Sequence, residues 1–288
     1  MSSNRRSFLK LLGLSTASFT IGNVLGNIVP MLTSSPKELE EENPKSSTKE
    51  AMVTAVVYRK VIDLTHWLYH DCPGWATLPS MKIDQTYWAA RDAFTLHEIK
   101  FHTHIGTHYD FPAHFIPEGK TQTDFPNPES FMGEAVVLNF QFMKPGEEIA
   151  ASDLKKYAEH IKEGSIVLLD TGWSKKRGKN SDYLYFFPAL SVDGAQYLAD
   201  RKIKMVGTEG LSIAPWTSTV TMQGPVGRSS PIAVHRTLLE KDILILEELN
   251  NLEAVREGKD VGKCFLIALP LKVKDIEGCP ARAIALLT

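Results

Sequence analysis

The stretch from Phe101 to Phe115, FHTHIGTHYDFPAHF, constrains this chain more than any other feature. His102, His104, His108, Asp110 and His114 fall within thirteen residues of a chain that has only nine histidines in all. His104, His108 and Asp110 stand at i, i+4 and i+6. These even offsets project from one face of an extended strand, because side chains there alternate with period two. A helix would bring i and i+4 together and turn i+6 away. Gly106, Pro112 and the β-branched Ile105 and Thr107 also disfavour a helix. The spacing predicts a strand or strand end that carries three metal-ligand types on one face.

Two imidazoles and a carboxylate suit a borderline divalent ion such as zinc, and also manganese or iron. The absence of cysteine from the stretch argues against a closed structural zinc site. Open coordination positions imply catalysis. Pro112 bends the chain after Asp110 and lets His114 approach from another direction, where a general base belongs. The alternative, a histidine-rich surface strand or core histidines bonded to carbonyls, fits the scattered His66, His70 and His97 better than it fits this cluster. His102 shares the parity of His104 and needs no role.

Residues 1–32 carry Arg5-Arg6 followed by Ser7-Phe8-Leu9-Lys10 and a moderately apolar run to Leu25 without acidic residues. This resembles a twin-arginine export signal, which carries folded proteins to a periplasmic or other extracytoplasmic destination. An ordinary basic N-terminus on an amphipathic helix is the alternative. The apolar run is short for a bilayer-spanning helix. Val24-Leu25-Gly26 is a poor small-x-small cleavage pattern, which leaves an uncleaved membrane tether open. Residues 33–52 are rich in Ser, Lys and Glu with two prolines, and read as a flexible polar linker. Residues 53–288 are enough for one sizeable core in a single domain. A net charge of -2 gives no reason to expect a nucleic-acid partner. Cys72, Cys264 and Cys279 are odd in number and are expected as small buried hydrophobes.

Within the domain, strands are expected at residues 56–64, 135–140, 165–170, 204–208, 243–246 and 264–271. Helices are expected at 151–160, capped by Ser152, and at 193–200 and 234–239. A closing hairpin over 274–287 would turn at Gly278 and Pro280. The pattern is α/β. Trp67 and Trp75 fall in turn-rich sequence, and Trp173 follows the strand that ends at Asp170. All three are candidates to wall a pocket for a planar substrate, with plain packing as the alternative. A helix-turn-strand path returns Glu247 or Glu248 to the neighbourhood of His235, and spacing alone does not choose between them.

His104-x-Gly106-Thr107-His108-x-Asp110-x-Pro112-x-His114 resembles the signature of the cyclase and kynurenine formamidase-like family of metal-dependent hydrolases. Further likeness runs through Ile62 to His66, Leu169 to Trp173, Phe187 to Ser191, His235 to Leu239, Leu246 to Asn250, Ala268 to Leu271 and Pro280 to Arg282. The resemblance implies a mixed-sheet swivelling β/β/α domain. It implies a site for one or two divalent ions, Zn2+ or Mn2+, on His104, His108, Asp110, His235 and Glu247. The family's twelve-residue step from His235 selects Glu247. It gives His114 the general acid/base role and makes a homodimer or higher homo-oligomer expected. Many relatives have aspartate where this chain has Glu209. The implied reaction is hydrolysis of a C–N bond in a small amide or formamide, as in arylformamidases. A cyclic amide such as an isatin-like lactam is the alternative substrate. A non-catalytic metal-binding protein on the same scaffold is a third reading, against which His114 speaks, since simple binding needs no base.

Overall fold

The protein is described by a computed structural model over residues 56–217 and 229–288. The expected export segment 1–32 and linker 33–52 lie outside the described residues, as does part of the loop after Gly210. The strands are β1 (Lys60–Asp63), β2 (Lys82–Tyr87), β3 (Leu96–Lys100), β4 (His108–Asp110), β5 (Met132–Asn139) and β6 (Glu148–Ile149). They continue as β7 (Ile166–Asp170), β8 (Ala189–Leu190), β9 (Met205–Thr208), β10 (Leu244–Glu247), β11 (Val261–Pro270) and β12 (Gly278–Leu287). Eight form one sheet in the order β1-β12-β11-β5-β7-β9-β10-β4, and β4 pairs with β12 as well. The sheet therefore closes on itself through β4. β1 attaches to β12 farther along that strand.

Strands β5, β7, β9 and β10 run parallel, and their sequences show why they sit centrally. All of Ile166, Val167, Leu168, Leu169 and Asp170 are buried, the near-continuous apolar run of a strand covered on both faces. Val137, Leu168 and Leu246 enter one core with Tyr109 and Leu266. Their neighbours Val136, Val167 and Ile245 enter a second, beneath the helices Val192–Asp200 and Pro231–Leu239. Ser191 and Ser230 cap these helices by accepting the backbone N–H groups of Gly194 and Ala233, and Pro231 occupies the first turn. The mixed α/β architecture is the one the sequence implied.

Two local expectations are corrected. The helix expected over 151–160 is only Ala151–Lys155, and Ser152 lies inside it rather than capping it. Asp153 accepts the Ala150 N–H at 3.1 Å, which starts the helix earlier than the Ser152 reading assumed. Gly278 and Pro280 are not turn residues but lie within β12, and the chain reverses before them. Pro280 needs no N–H there, and its carbonyl accepts from the Leu271 N–H at 3.0 Å. All three cysteines are buried and free.

Candidate metal centre and active site

Strand β4 is only three residues long, yet it sets most of the site. Tyr109 points into the core, so period two puts His108 and Asp110 together on the opposite face. Antiparallel pairing with β10 sets Glu247 opposite His108, and pairing with β12 sets Gly278 opposite Asp110. His104 departs from the expectation of a shared strand. The residues before His108 form bends, and Gly106 at φ +60° turns the chain. The left-handed backbone at Gly106 favours glycine, and a Cβ there would also displace the end of the Leu68 side chain. His104 thus reaches the site by a turn, with Nδ1 2.7 Å from Asp110 Oδ1.

The remaining ligands arrive already oriented. His108 Nδ1 is bonded to the Gly106 carbonyl at 2.7 Å, and His235 Nδ1 to the Pro231 carbonyl at 2.7 Å. Each ring therefore carries its proton on Nδ1 and offers Nε2 inward. His108 Nε2 stands 3.5 Å from both Asp110 and Glu247, and His235 Nε2 stands 3.4 Å from the same two carboxylates. Glu247 Oε1 accepts the Ile213 N–H at 2.6 Å and the Ser212 hydroxyl at 3.1 Å.

His104, His108 and Asp110 converge as one candidate ligand trio, and Asp110, His235 and Glu247 as another, with Asp110 shared. All five ligand candidates read from the sequence are brought together. Buried His108 Nε2 and Asp110 Oδ2 have no well-formed hydrogen bond, which is the state of groups whose partner is a cation. Nitrogen and oxygen donors without sulfur fit a borderline to hard divalent ion. Burial would lower both inner histidines, but the carboxylates outweigh it. Asp110, with Glu277, raises His104 to about 10, and Asp110 with Glu247 raises His235 to about 9. A pocket that holds protons this firmly is a pocket built for positive charge.

His114 lies on the short 3₁₀ turn Pro112–His114, the bend expected of Pro112. Its ring stacks on His104 at 3.9 Å between centroids, while the next residue, Phe115, stacks on His235 at 4.2 Å. Consecutive residues therefore brace one histidine of each trio. Burial, with the charges of His104 and His235, outweighs the pull of Asp110 and brings His114 down to about 4, so it is neutral at pH 7.

The three tryptophans separate. Trp173 is buried in an aromatic cluster with Tyr183, Phe187 and Trp216, and half-buried Trp75 lies 4.5 Å from Trp216. Trp67 is 88% exposed. The sequence left Glu248 open beside Glu247 and did not read Glu277. Glu248 is buried. Its Oε2 accepts from Arg177 Nε at 3.0 Å and the Tyr183 hydroxyl at 3.1 Å. Alternation at the end of β10, which sends neighbouring side chains to opposite sides, was the available signal. Glu277 bonds His104 from 173 residues away, where no local spacing points to it.

Glu209 directly follows β9, is buried and accepts the Ser174 hydroxyl at 2.7 Å. Burial, and then the Asp170 carboxylate beside it, raises Glu209 to about 8. The folded chain keeps this proton where the unfolded chain has lost it. Stability is thus expected to fall as pH rises from about 4.5 towards 8, by up to about 1.4 kcal/mol per pH unit. Urea denaturation at pH 5 and 7.5 checks this. Glu209→Gln should flatten the slope, and an unchanged slope in that variant would refute the assignment.

Known proteins bear on this geometry. Kynurenine formamidase of Bacillus thuringiensis is 27% identical over 225 residues, covering 77% of this chain and 95% of that protein. Kynurenine formamidase of Salinibacter ruber is 29% identical over 222 residues, covering 74% and 92%. The solved structure of isatin hydrolase A from Labrenzia aggregata, bound to benzyl benzoate, superposes with a TM-score of 0.66. It is 28% identical and covers 80% of this chain and 94% of that one. The family model described as putative cyclase matches residues 62–215, which include β4, His114 and Glu209. The chain belongs to the putative cyclase family.

Proposed function

We propose that this protein is a metal-dependent amidohydrolase that cleaves a C–N bond in a small formamide attached to an aromatic ring. The observation that carries the reading is the ring of His114 stacked against a candidate ligand histidine where two ligand trios share Asp110. Zinc or manganese suits the donor set, and the formamidase relatives support the substrate class.

A divalent cation in this centre supplies Lewis acidity, acidifying water and polarising a carbonyl. Asp110 belongs to both trios and would be the ligand they share. Glu247 is held in orientation by Ile213 and Ser212. His114 enters neutral and accepts the proton of the attacking water. A ring that holds a proton weakly then gives it up to the departing nitrogen, which leaves as an amine. The likeness to isatin hydrolase A makes a lactam the second candidate substrate, whose nitrogen would stay attached after ring opening. The Arg5-Arg6 segment supports export of the folded chain, and family likeness supports a homo-oligomer.

The test is hydrolysis of N-formyl aromatic amines and of isatin by full chain loaded with zinc or manganese. Formate release supports the formamidase reading, and isatin opening without formate release moves the assignment to the lactam. No turnover of either class by fully loaded protein would overturn the proposal.

A further inference from the structure

We infer that Glu277 is a positioning residue for the metal centre: its carboxylate holds His104 Nε2 as the protonated nitrogen and so reserves Nδ1 for the cation. This rests on the metal-centre reading above. His104 has its two nitrogens on opposite carboxylates, Nδ1 at 2.7 Å from Asp110 Oδ1 and Nε2 at 3.2 Å from Glu277 Oε1. Asp110 belongs to both ligand trios, whereas Glu277 belongs to neither. Nδ1 is therefore the nitrogen on the metal side.

The sheet fixes where Glu277 stands. Its carbonyl accepts the Phe111 N–H at 2.8 Å, and the next residue, Gly278, pairs with Asp110. The carboxylate oxygen that meets His104 also accepts the Thr103 hydroxyl at 2.6 Å, which limits its rotation. Gly278 supplies the space, since a Cβ there would lie 2.4 Å from His104 Cε1. Thr103, Glu277 and Gly278 thus form a cradle that sets the orientation of a ring which, unlike those of His108 and His235, has no backbone carbonyl on its outer nitrogen. A carboxylate behind a ligand histidine fixes its tautomer and raises its basicity, and loss of such a partner typically weakens metal binding by about 10–100-fold.

The experiment compares full-length wild type, Glu277→Ala and Glu277→Gln. Zinc affinity is read by competition with a chromophoric chelator, and ring protonation by NMR of 15N-histidine-labelled zinc protein. Wild type should show His104 protonated at Nε2. Glu277→Ala should bind zinc about 10–100-fold more weakly. Glu277→Gln, whose amide oxygen still accepts from the ring, should lose less and keep the Nε2 proton signal. Wild-type affinity in both variants, or a wild-type His104 protonated at Nδ1, overturns the inference alone. It is also overturned if the alanine variant merely melts earlier without zinc while its folded fraction binds zinc normally. A wild-type chain that binds neither zinc nor manganese overturns the metal centre together with this inference.

Discussion

His114→Ala, in zinc-loaded protein, is expected to lose turnover by on the order of 10²–10⁴-fold while keeping its metal, the range that a positioned general acid/base contributes. His114 is not a member of either ligand trio, so its removal leaves the five donors in place. What it takes away is a ring stacked 3.9 Å from His104 and neutral at pH 7. The loss should appear in kcat more than in KM, because proton transfer is made in the transition state and not in substrate binding. Metal analysis of the same sample separates this from a damaged centre. Full turnover by a metallated variant would remove His114 from the chemistry.

Asp110→Asn is expected to cost both metal binding and metal-free stability. The substitution preserves shape, so no cavity is made, but it removes the one anion common to both trios. Zinc affinity should fall by more than the roughly 100-fold upper range seen when only an outer partner is lost. In metal-free protein it leaves His104 without its closest carboxylate, and breaking such a buried pair costs roughly 3–5 kcal/mol. His104 is raised to about 10 from an ordinary value of 6.5. Its contribution is therefore full below pH 6.5 and is lost as pH rises through 10. The stability gap between wild type and variant should accordingly be wide at pH 6 and narrow towards pH 10 in urea titrations. A gap that is constant with pH would show that the histidine is not what Asp110 stabilises, and undiminished zinc binding would refute its place as shared ligand.

The legible parts of the site were those encoded by period two on a strand. His108 and Asp110 share a face of β4 for that reason, and the apolar run Ile166 to Leu169 declared a buried strand. His104 was named correctly for an incomplete reason. Its even offset suggested one strand, while a left-handed turn at Gly106 delivers it. Glu247 and Glu248 are adjacent in sequence, and alternation alone allows either to face the metal. Family likeness decided between them, and the register of Glu247 against His108 agrees. Gly278 and Pro280 read as a turn because composition cannot register that a histidine ring 174 residues away occupies the space beside Gly278. Glu277 was silent for the same reason: its partner is set by the pairing of β12 with β4, a contact between distant parts of the chain.

That closure of the sheet also dictates an order of events during synthesis. His104, His108 and Asp110 leave the ribosome early, but β10 and β12, which flank β4, come from the last quarter of the chain. Pairings between such distant segments form late, after the entropy of closing the long intervening loop has been overcome. A growing chain therefore carries the first three donors long before it can hold them in place. A chain ending between residues 247 and 278 would carry all five donors and β10, yet lack the β12 pairing that closes the sheet beside Asp110 and His108.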